Sequence, residues 1–181
     1  MVFMALGMLA TQNVDAQKST EKTVMVGGAA MYPSKNIVEN AMNSKDHTTL
    51  VAAVKAAGLV ETLQGKGPFT VFAPTNAAFD KLPEGTVATL LKPENKAKLA
   101  AVLTYHVVAG NIDSKELVKK IKAGGGKATL TTVNGATLTA SLDGDKVVIT
   151  DANGGKAHVT IADVYQSNGV IHVTDAVSLP K

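Results

Sequence analysis

The hydrophobic pattern divides the chain into a helical half followed by a strand-rich half. Before residue 127, apolar positions recur at helical spacing in short segments, as at Leu50, Val51, Val54 and Ala57. From Lys127 onward, apolar and polar positions alternate, which is typical of strands with one exposed face. Because helices and strands occupy separate stretches, the sequence predicts an α+β domain and not a repeated βαβ unit.

Helix caps, prolines and glycines place the boundaries of these elements. Ser34, Asp46 and Ser114 are predicted helix N-caps, and Gly58 a C-terminal stop. The predicted helical segments are 35–42, 46–57, 59–63, a turn from 74 that carries Phe79, 87–91, a longer helix from 93 and 115–122. The predicted strands are 69–72, 105–108, 129–132, 136–141, 146–150, 158–161 and 170–174. Asn134-Gly135, Asp143-Gly144 and Asn153-Gly154-Gly155 predict tight hairpin turns between strands.

The N-terminus opens with a short apolar run, VFMALGMLA, over residues 2–10. Nine residues are too few to span a bilayer, which needs about 20, but they match the apolar region of a signal peptide. Val14 and Ala16 stand at the −3 and −1 positions of a cleavage site, although no Lys or Arg precedes the run. We therefore expect a signal peptide over 1–16, an extended lead-in over 17–35 and a folded domain over 36–181. The alternative is a disordered N-terminal tail.

Composition narrows the function classes. The 181 residues suffice for one domain, and the absence of Cys excludes disulfides and thiolate metal sites. All 18 basic residues are Lys, scattered among 15 acids for a net charge of +3. Nucleic-acid binders usually employ Arg for bidentate contacts, so we do not expect a nucleic-acid partner. Aromatic residues are 4% and Trp is absent, so the core must consist mainly of Val, Leu, Ile and Ala.

Three sequence blocks resemble one known family. They are GPFTVFAPTNAAF at 67–79, LTYHVV at 103–108 and NGVIHVTD at 168–175. In this order and spacing they are similar to the conserved blocks of the fasciclin domain, over about residues 36–180. The chain most resembles the single-domain secreted fasciclin proteins of bacteria, and beta-Ig-H3-like proteins. The resemblance implies a compact wedge of about seven β-strands with a cluster of helices from the N-terminal half.

The same resemblance indicates candidate binding residues. In animal members of the family, a Tyr-His pair and an Asp-Ile pair are linked to adhesion through integrins. The matching positions are Tyr105-His106 and Asp163-Val164, where Val replaces Ile. If Tyr105 and His106 lie in a regular strand, they point to opposite faces, so one is expected to be buried with its polar tip hydrogen-bonded. Asp163 and Val164 are expected in an exposed loop, although Asp163 also suits a turn or cap.

Evidence in the sequence for catalysis or metal binding is weak. The four histidines, His47, His106, His158 and His172, show no local ligand spacing, so a metal site would have to form in three dimensions. No Gly-x-Ser-x-Gly motif or phosphate loop occurs, and we expect no catalytic residues, metal or cofactor.

The sequence and the resemblance together predict a secreted or periplasmic, non-catalytic adhesion or interaction module. The expected partner is an extracellular or envelope protein or a polysaccharide, bound by a monomer with no stable membrane insertion. The alternatives are a small-molecule or metal carrier, a hydrolase on the same fold, and a stress-induced envelope protein.

Overall fold

Within residues 22–181, seven of the nine strands form one sheet that curls until its two edge strands meet, and the first two strands pair with each other in a separate hairpin. The computed structural model describes residues 22–181, so the predicted signal peptide lies outside the described residues. The strands are β1 (Val24–Val26), β2 (Ala29–Met31), β3 (Phe69–Pro74), β4 (Val107–Ala109), β5 (Lys127–Thr131), β6 (Thr137–Asp143), β7 (Lys146–Thr150), β8 (Lys156–Gln166) and β9 (Gly169–Thr174). The sheet order is β4-β3-β9-β8-β7-β6-β5. The Val133 N–H donates to the Val107 carbonyl (2.8 Å), and Val108 bridges Thr132, so β4 meets the chain just after β5.

Most of the helices precede the strand-rich part of the chain. They are α1 (Ile37–Ala41), α2 (Thr48–Ala57), α3 (Val60–Gln64), α4 (Asn76–Asp80), α5 (Thr86–Leu90), α6 (Lys96–Tyr105) and α7 (Ser114–Ala123), with 3-10 turns at Lys45–His47 and Pro93–Asn95. The α+β class predicted from the sequence is therefore confirmed. Gly58 ends α2 in the left-handed conformation, as expected.

Three predicted N-caps are wrong by one or two residues. Asn36, not Ser34, caps α1, because its side chain accepts the Glu39 N–H while the Glu39 carboxylate accepts the Asn36 N–H. Asp113, not Ser114, caps α7 by accepting the Glu116 N–H. Asp46 falls inside the 3-10 turn that precedes α2.

Two hydrophobic cores lie on opposite sides of the central strand β3. The first joins α1, α2, α3, α4 and α6 to one face of β3 and β9, and it includes Val71 and Phe79. The second fills the curled sheet, is closed by Leu117 and Ile121 of α7, and contains Phe72 and Tyr105. The Phe-rich block therefore supplies both cores, because alternate residues of a strand point to opposite faces.

The lead-in over 17–35 contains an N-terminal hairpin that belongs to the folded unit. Strands β1 and β2 pair across Gly27-Gly28, and both of these glycines have positive φ. Val26 and Met31 are 2% exposed and pack in the first core. Within the lead-in, the extended residues are those of β1 and β2, on either side of the Gly27-Gly28 turn.

The three sequence blocks converge on β3. Strand β9, from the last block, pairs parallel with β3, with Phe69 opposite Gly169. Strand β4, from the middle block, pairs antiparallel with β3 on its other side, with Val71 opposite Val107. Packing is tight at this point, since a Cβ at Gly169 would lie 2.0 Å from the Phe69 carbonyl oxygen. The blocks therefore form the central scaffold of the domain.

Candidate functional site

Tyr105 ends helix α6 and is enclosed by the second core. The predicted strand over 105–108 is wrong at its start, because α6 continues through Tyr105 and strand β4 begins at Val107. The side chain is 0% exposed. Its hydroxyl donates to the Thr137 carbonyl (2.8 Å) and accepts the Ala152 N–H (3.0 Å). Burial raises the pKa of Tyr105, so the neutral phenol persists as both donor and acceptor.

His106 is the C-cap of α6 and is also buried. Its Nδ1 lies 2.8 Å from the Val102 carbonyl, to which it must donate, while Nε2 accepts the Ser178 N–H at 3.0 Å. These contacts require a neutral ring protonated on Nδ1. Burial lowers the pKa of His106, against smaller opposing effects of the Val102 carbonyl and the Asp151 charge. The ring therefore fastens the C-terminal segment to α6.

Asp163 lies in strand β8, at a bulge, and not in the exposed loop that the sequence suggested. The pairing of β8 with β9 shifts register between Ile161 and Val164, which leaves Asp163 with a φ of 58°. A positive φ is uncommon for residues other than Gly but is tolerated by Asp. The Asp163 carboxylate accepts both the backbone N–H of Ser114 (2.6 Å) and the Ser114 hydroxyl. Asp163 thus joins strand β8 to the start of α7.

Val164 packs in the first core with 1% of its surface exposed. The expectation of an exposed aliphatic side chain at this position is therefore wrong. The bulge explains the difference, because it turns Asp163 toward Ser114 and leaves Val164 on the buried face of β8.

Four residues around Asp163 complete a polar cluster that the sequence did not indicate as a unit. The Tyr165 hydroxyl donates to Asp113 at 3.2 Å, and Tyr165 is 43% exposed. The Glu116 N–H lowers the pKa of Asp113. Burial, followed by the charges of Asp163 and Asp113, raises the pKa of Tyr165. We call Asp113, Ser114, Asp163, Tyr165 and His172 the bulge cluster.

His172 forms the buried floor of the bulge cluster. Its Nε2 donates to the Ile112 carbonyl at 2.8 Å, and its Nδ1 accepts the Asp163 N–H at 3.4 Å. The ring stacks on Phe72, with centroids 5.6 Å apart. Burial lowers the pKa of His172, although the Ile112 carbonyl and two nearby carboxylates oppose the shift. This histidine is therefore neutral with the proton on Nε2, the opposite tautomer to His106.

The two candidate pairs do not form one site. Within residues 22–181, no hydrogen bond joins Tyr105 or His106 to Asp163 or Val164. Asp163 is the one of the four whose side chain reaches a partly open surface, where its carboxylate accepts hydrogen bonds from Ser114. The sequence could have indicated His172, which alternates with Val170 and Thr174, but not Tyr165 or Asp113, which approach Asp163 through the fold.

An apolar cavity lies between helices α1–α3 and strands β3 and β4. It measures about 40 Å³, and His106 is one of its lining residues. A small-molecule pocket usually encloses about 300–1,000 Å³. This cavity therefore gives no support to the carrier alternative.

The histidines and carboxylates do not converge as metal ligands in the part of the chain that the structure describes. No group of three or more such side chains is placed to hold an ion within residues 22–181. His106 and His172 each use both ring nitrogens for protein contacts. Asp143-Gly144-Asp145 forms the turn between β6 and β7, with Gly144 at a φ of 61°.

Comparison with known proteins decides the family. The family model for the fasciclin domain matches residues 45–180. The chain belongs to the fasciclin family. This fasciclin chain is 49% identical over 176 residues to Protein sll1483 of Synechocystis sp., covering 97% of the chain and 90% of that protein. It is 32% identical over 170 residues to the cell surface glycolipoprotein MPB83 of Mycobacterium bovis, covering 91% of this chain and 70% of that protein.

The fold agrees with the same assignment. The structure of a FAS1 domain pair from the insect cell adhesion molecule Fasciclin I superposes with a TM-score of 0.72 at 20% identity. The match covers 81% of this chain and 51% of that one. The resemblance predicted from the three sequence blocks is therefore confirmed. Within the described part of this fasciclin protein, none of the helices is long and apolar enough to cross a bilayer.

Proposed function

We propose that this fasciclin protein is secreted and acts outside the cytoplasm as a non-catalytic adhesion or interaction module. Its proposed partner is an envelope or extracellular protein or a polysaccharide. The observation that carries the proposal is the fasciclin match over residues 45–180. The similarity to a cell surface glycolipoprotein and to a domain pair from a cell adhesion molecule supports it.

The state of the buried polar groups supports a non-catalytic role. A general base must have a free lone pair within reach of a substrate. His106 and His172 are buried, and each ring has one nitrogen donating and one accepting within the protein. The Tyr105 hydroxyl likewise donates one hydrogen bond and accepts another within the protein. These groups stabilise the fold rather than face a cleft.

Participation of Tyr105, His106, Asp163 and Val164 in binding stays a prediction, and their contacts suggest how each would contribute. Tyr105, His106 and Val164 are enclosed, so we expect them to act through the scaffold. Asp163 lies beside Tyr165, whose exposed ring can pack against a partner while its hydroxyl stays near two carboxylates. We therefore place the proposed contact at the bulge cluster, with Tyr165 as its accessible residue.

Retention on envelope material tests this proposal. Purified protein beginning at Gln17 is incubated with washed cell-envelope and extracellular-matrix fractions, and the bound fraction is measured. Tyr165→Ala is expected to reduce binding several-fold, since aromatic residues often dominate interfaces. Tyr32→Ala is the matched control, because Tyr32 is 40% exposed on the N-terminal side. Absence of binding by the unaltered protein at high concentration would contradict the proposed function, whereas equal loss in both variants would contradict the location.

A further inference from the structure

Lysines occur throughout the chain, but the net positive charge comes from one short segment. Residues 114–127 contain five lysines and one acid, Glu116, for a net charge of +4. The whole chain has 18 lysines and 15 acids, so the remainder holds 13 lysines and 14 acids, a net charge of −1. The entire excess of positive charge therefore resides on α7 and the start of β5.

Three of these lysines form a row along one side of α7. Lys115, Lys119 and Lys122 follow the i, i+4, i+7 spacing that places side chains on the same helix face. The row spans about 10 Å at 1.5 Å per residue. All three residues are exposed. We call Lys115, Lys119 and Lys122 the lysine row.

Among the described residues, no salt bridge involves the lysine row, although the charges of Asp113 and Lys115 interact at its N-terminal end. Glu116 pairs at 3.6 Å with Lys120, on the other flank of α7. In the described residues, the other lysine in an ion pair is Lys81, which contacts Asp175. The row borders a shallow groove whose lining residues are Ser114, Lys115, Val118, Lys119 and Lys122, without an acid among them. The positive charge of this surface therefore suits an extended anionic ligand.

The packing of α7 disfavours a membrane as that ligand. A helix that lies in a bilayer interface must offer its apolar face to the lipid. Leu117 and Ile121, which form the apolar face of α7, are 0% and 1% exposed because they close the second core. The lysine row can then attract lipid headgroups only by charge, without apolar insertion.

The composition of the surface also disfavours nucleic acid. Binding to single strands relies on aromatic side chains that stack on bases, and duplex recognition favours the planar fork of Arg. The chain has no Arg, and the residues lining the groove include no aromatic ring. Hydrated ammonium groups in a row instead suit carboxylates or sulfates that repeat along a flexible chain.

We propose that the lysine row of α7 binds an acidic polysaccharide through its carboxylate or sulfate groups. This inference rests on the proposed extracellular function and specifies the partner class. The contact is electrostatic and extended, so affinity decreases steeply with ionic strength, as expected when a polyanion releases its counterions.

Matched charge variants test the proposal with defined probes. The probes are polygalacturonate for carboxylates, dextran sulfate for sulfates and uncharged dextran. Binding of the chain beginning at Gln17 is measured from about 20 to 200 mM salt, a range over which the Debye length decreases from tens of ångströms to several. The test variant is Lys115→Gln/Lys119→Gln/Lys122→Gln. The control, Lys92→Gln/Lys96→Gln/Lys98→Gln, removes the same three charges from another exposed region.

We expect the unaltered protein to bind at least one acidic probe and not uncharged dextran. The lysine-row variant should lose roughly tenfold in affinity at low salt and show a flatter dependence on salt, while the control changes little. The unfolding temperatures of both variants should match that of the unaltered protein, since these side chains are exposed.

Three kinds of result would overturn the proposal. Equal losses in the two variants would show that net charge, and not the row, determines binding. Equal or tighter binding to phosphatidylglycerol vesicles or to duplex DNA would assign the row to another class of ligand. Retention on envelope fractions without affinity for either acidic probe would refute this inference but leave the proposed function intact. Absence of both the retention and the affinity for acidic probes would refute this inference and the proposed function together.

Discussion

The Tyr105 hydroxyl links the beginning of β6 to the chain that follows β7, through Thr137 and Ala152. Replacement by Phe removes both hydrogen bonds and leaves the Thr137 carbonyl and the Ala152 N–H without this partner. We expect Tyr105→Phe to lower the free energy of unfolding by about 1–3 kcal/mol. Denaturant unfolding measures the change, and Tyr165→Phe, which removes an exposed hydroxyl, is the control. A Tyr105→Phe protein as stable as the parent would contradict the structural role of this residue.

The neutral histidines make stability depend on pH. Burial lowers the pKa of His106 and His172 below 6.5, so the unfolded chain binds more protons than the folded protein when the pH falls below that value. The free energy of unfolding should be nearly constant above about pH 7.5. It should decrease below about pH 6.5 by up to about 1.4 kcal/mol per pH unit for each histidine.

Unfolding curves between pH 5 and 8 measure this dependence. His47 is buried as well, and its lowered pKa acts in the same direction. His106→Gln should reduce the slope below pH 6.5, although it also lowers stability overall by disrupting the contacts with Val102 and Ser178. A stability that stays constant down to pH 5 would show that these rings are not neutral in the folded protein.

The sequence predicted the family motifs correctly but not the surroundings of each residue. Tyr105 and His106 were expected on opposite faces of a strand, yet the change from helix to strand falls directly after them. The partners of His106 include Ser178, which is 72 positions away in the chain. Such contacts depend on the assembled fold, and no local pattern at residues 103–108 encodes them.

At the scale of elements, Asn168 connects three parts of the domain. Its amide donates to the carbonyls of Leu63 and Gly65, and its Oδ1 accepts the Ile37 N–H. These bonds fix the end of α3 and the start of α1 beside β9. Asn168→Ala is therefore expected to lower the free energy of unfolding by about 2–4 kcal/mol, because two buried hydrogen bonds and one part-buried hydrogen bond are lost.

Thermal or denaturant unfolding of Asn168→Ala checks this expectation. Asn153→Ala is a suitable control because Asn153 is exposed and its amide bonds only to carbonyls of the C-terminal segment. A loss of stability equal in the two variants would contradict the connecting role of Asn168.

Element boundaries were predictable where local chemistry decides them and not where pairing does. Strand β7 was predicted over its whole length, 146–150, because hairpin turns flank it. Strand β8 was predicted to end at Ile161 but continues to Gln166. The bulge at Asp163 interrupts the alternation of apolar residues, and pairing with β9 carries the strand through it.

At the scale of the whole molecule, the helical half of the chain packs on one side of β3 and forms the first core. The strand-rich half curls around the second core on the other side of β3. The sequence alone predicted this class and, through the three blocks, the family. The closing of the sheet and the outward orientation of the lysine row arise from tertiary packing, because Leu117 and Ile121 are buried in the second core.

Location in native cells most directly tests the central claim that this fasciclin protein acts outside the cytoplasm. Intact mass is measured for the protein recovered from cytoplasmic, periplasmic and culture-medium fractions. We expect a chain that begins at Gln17, found in the periplasm or the medium. An uncleaved chain confined to the cytoplasm would contradict both secretion and the proposed envelope partner.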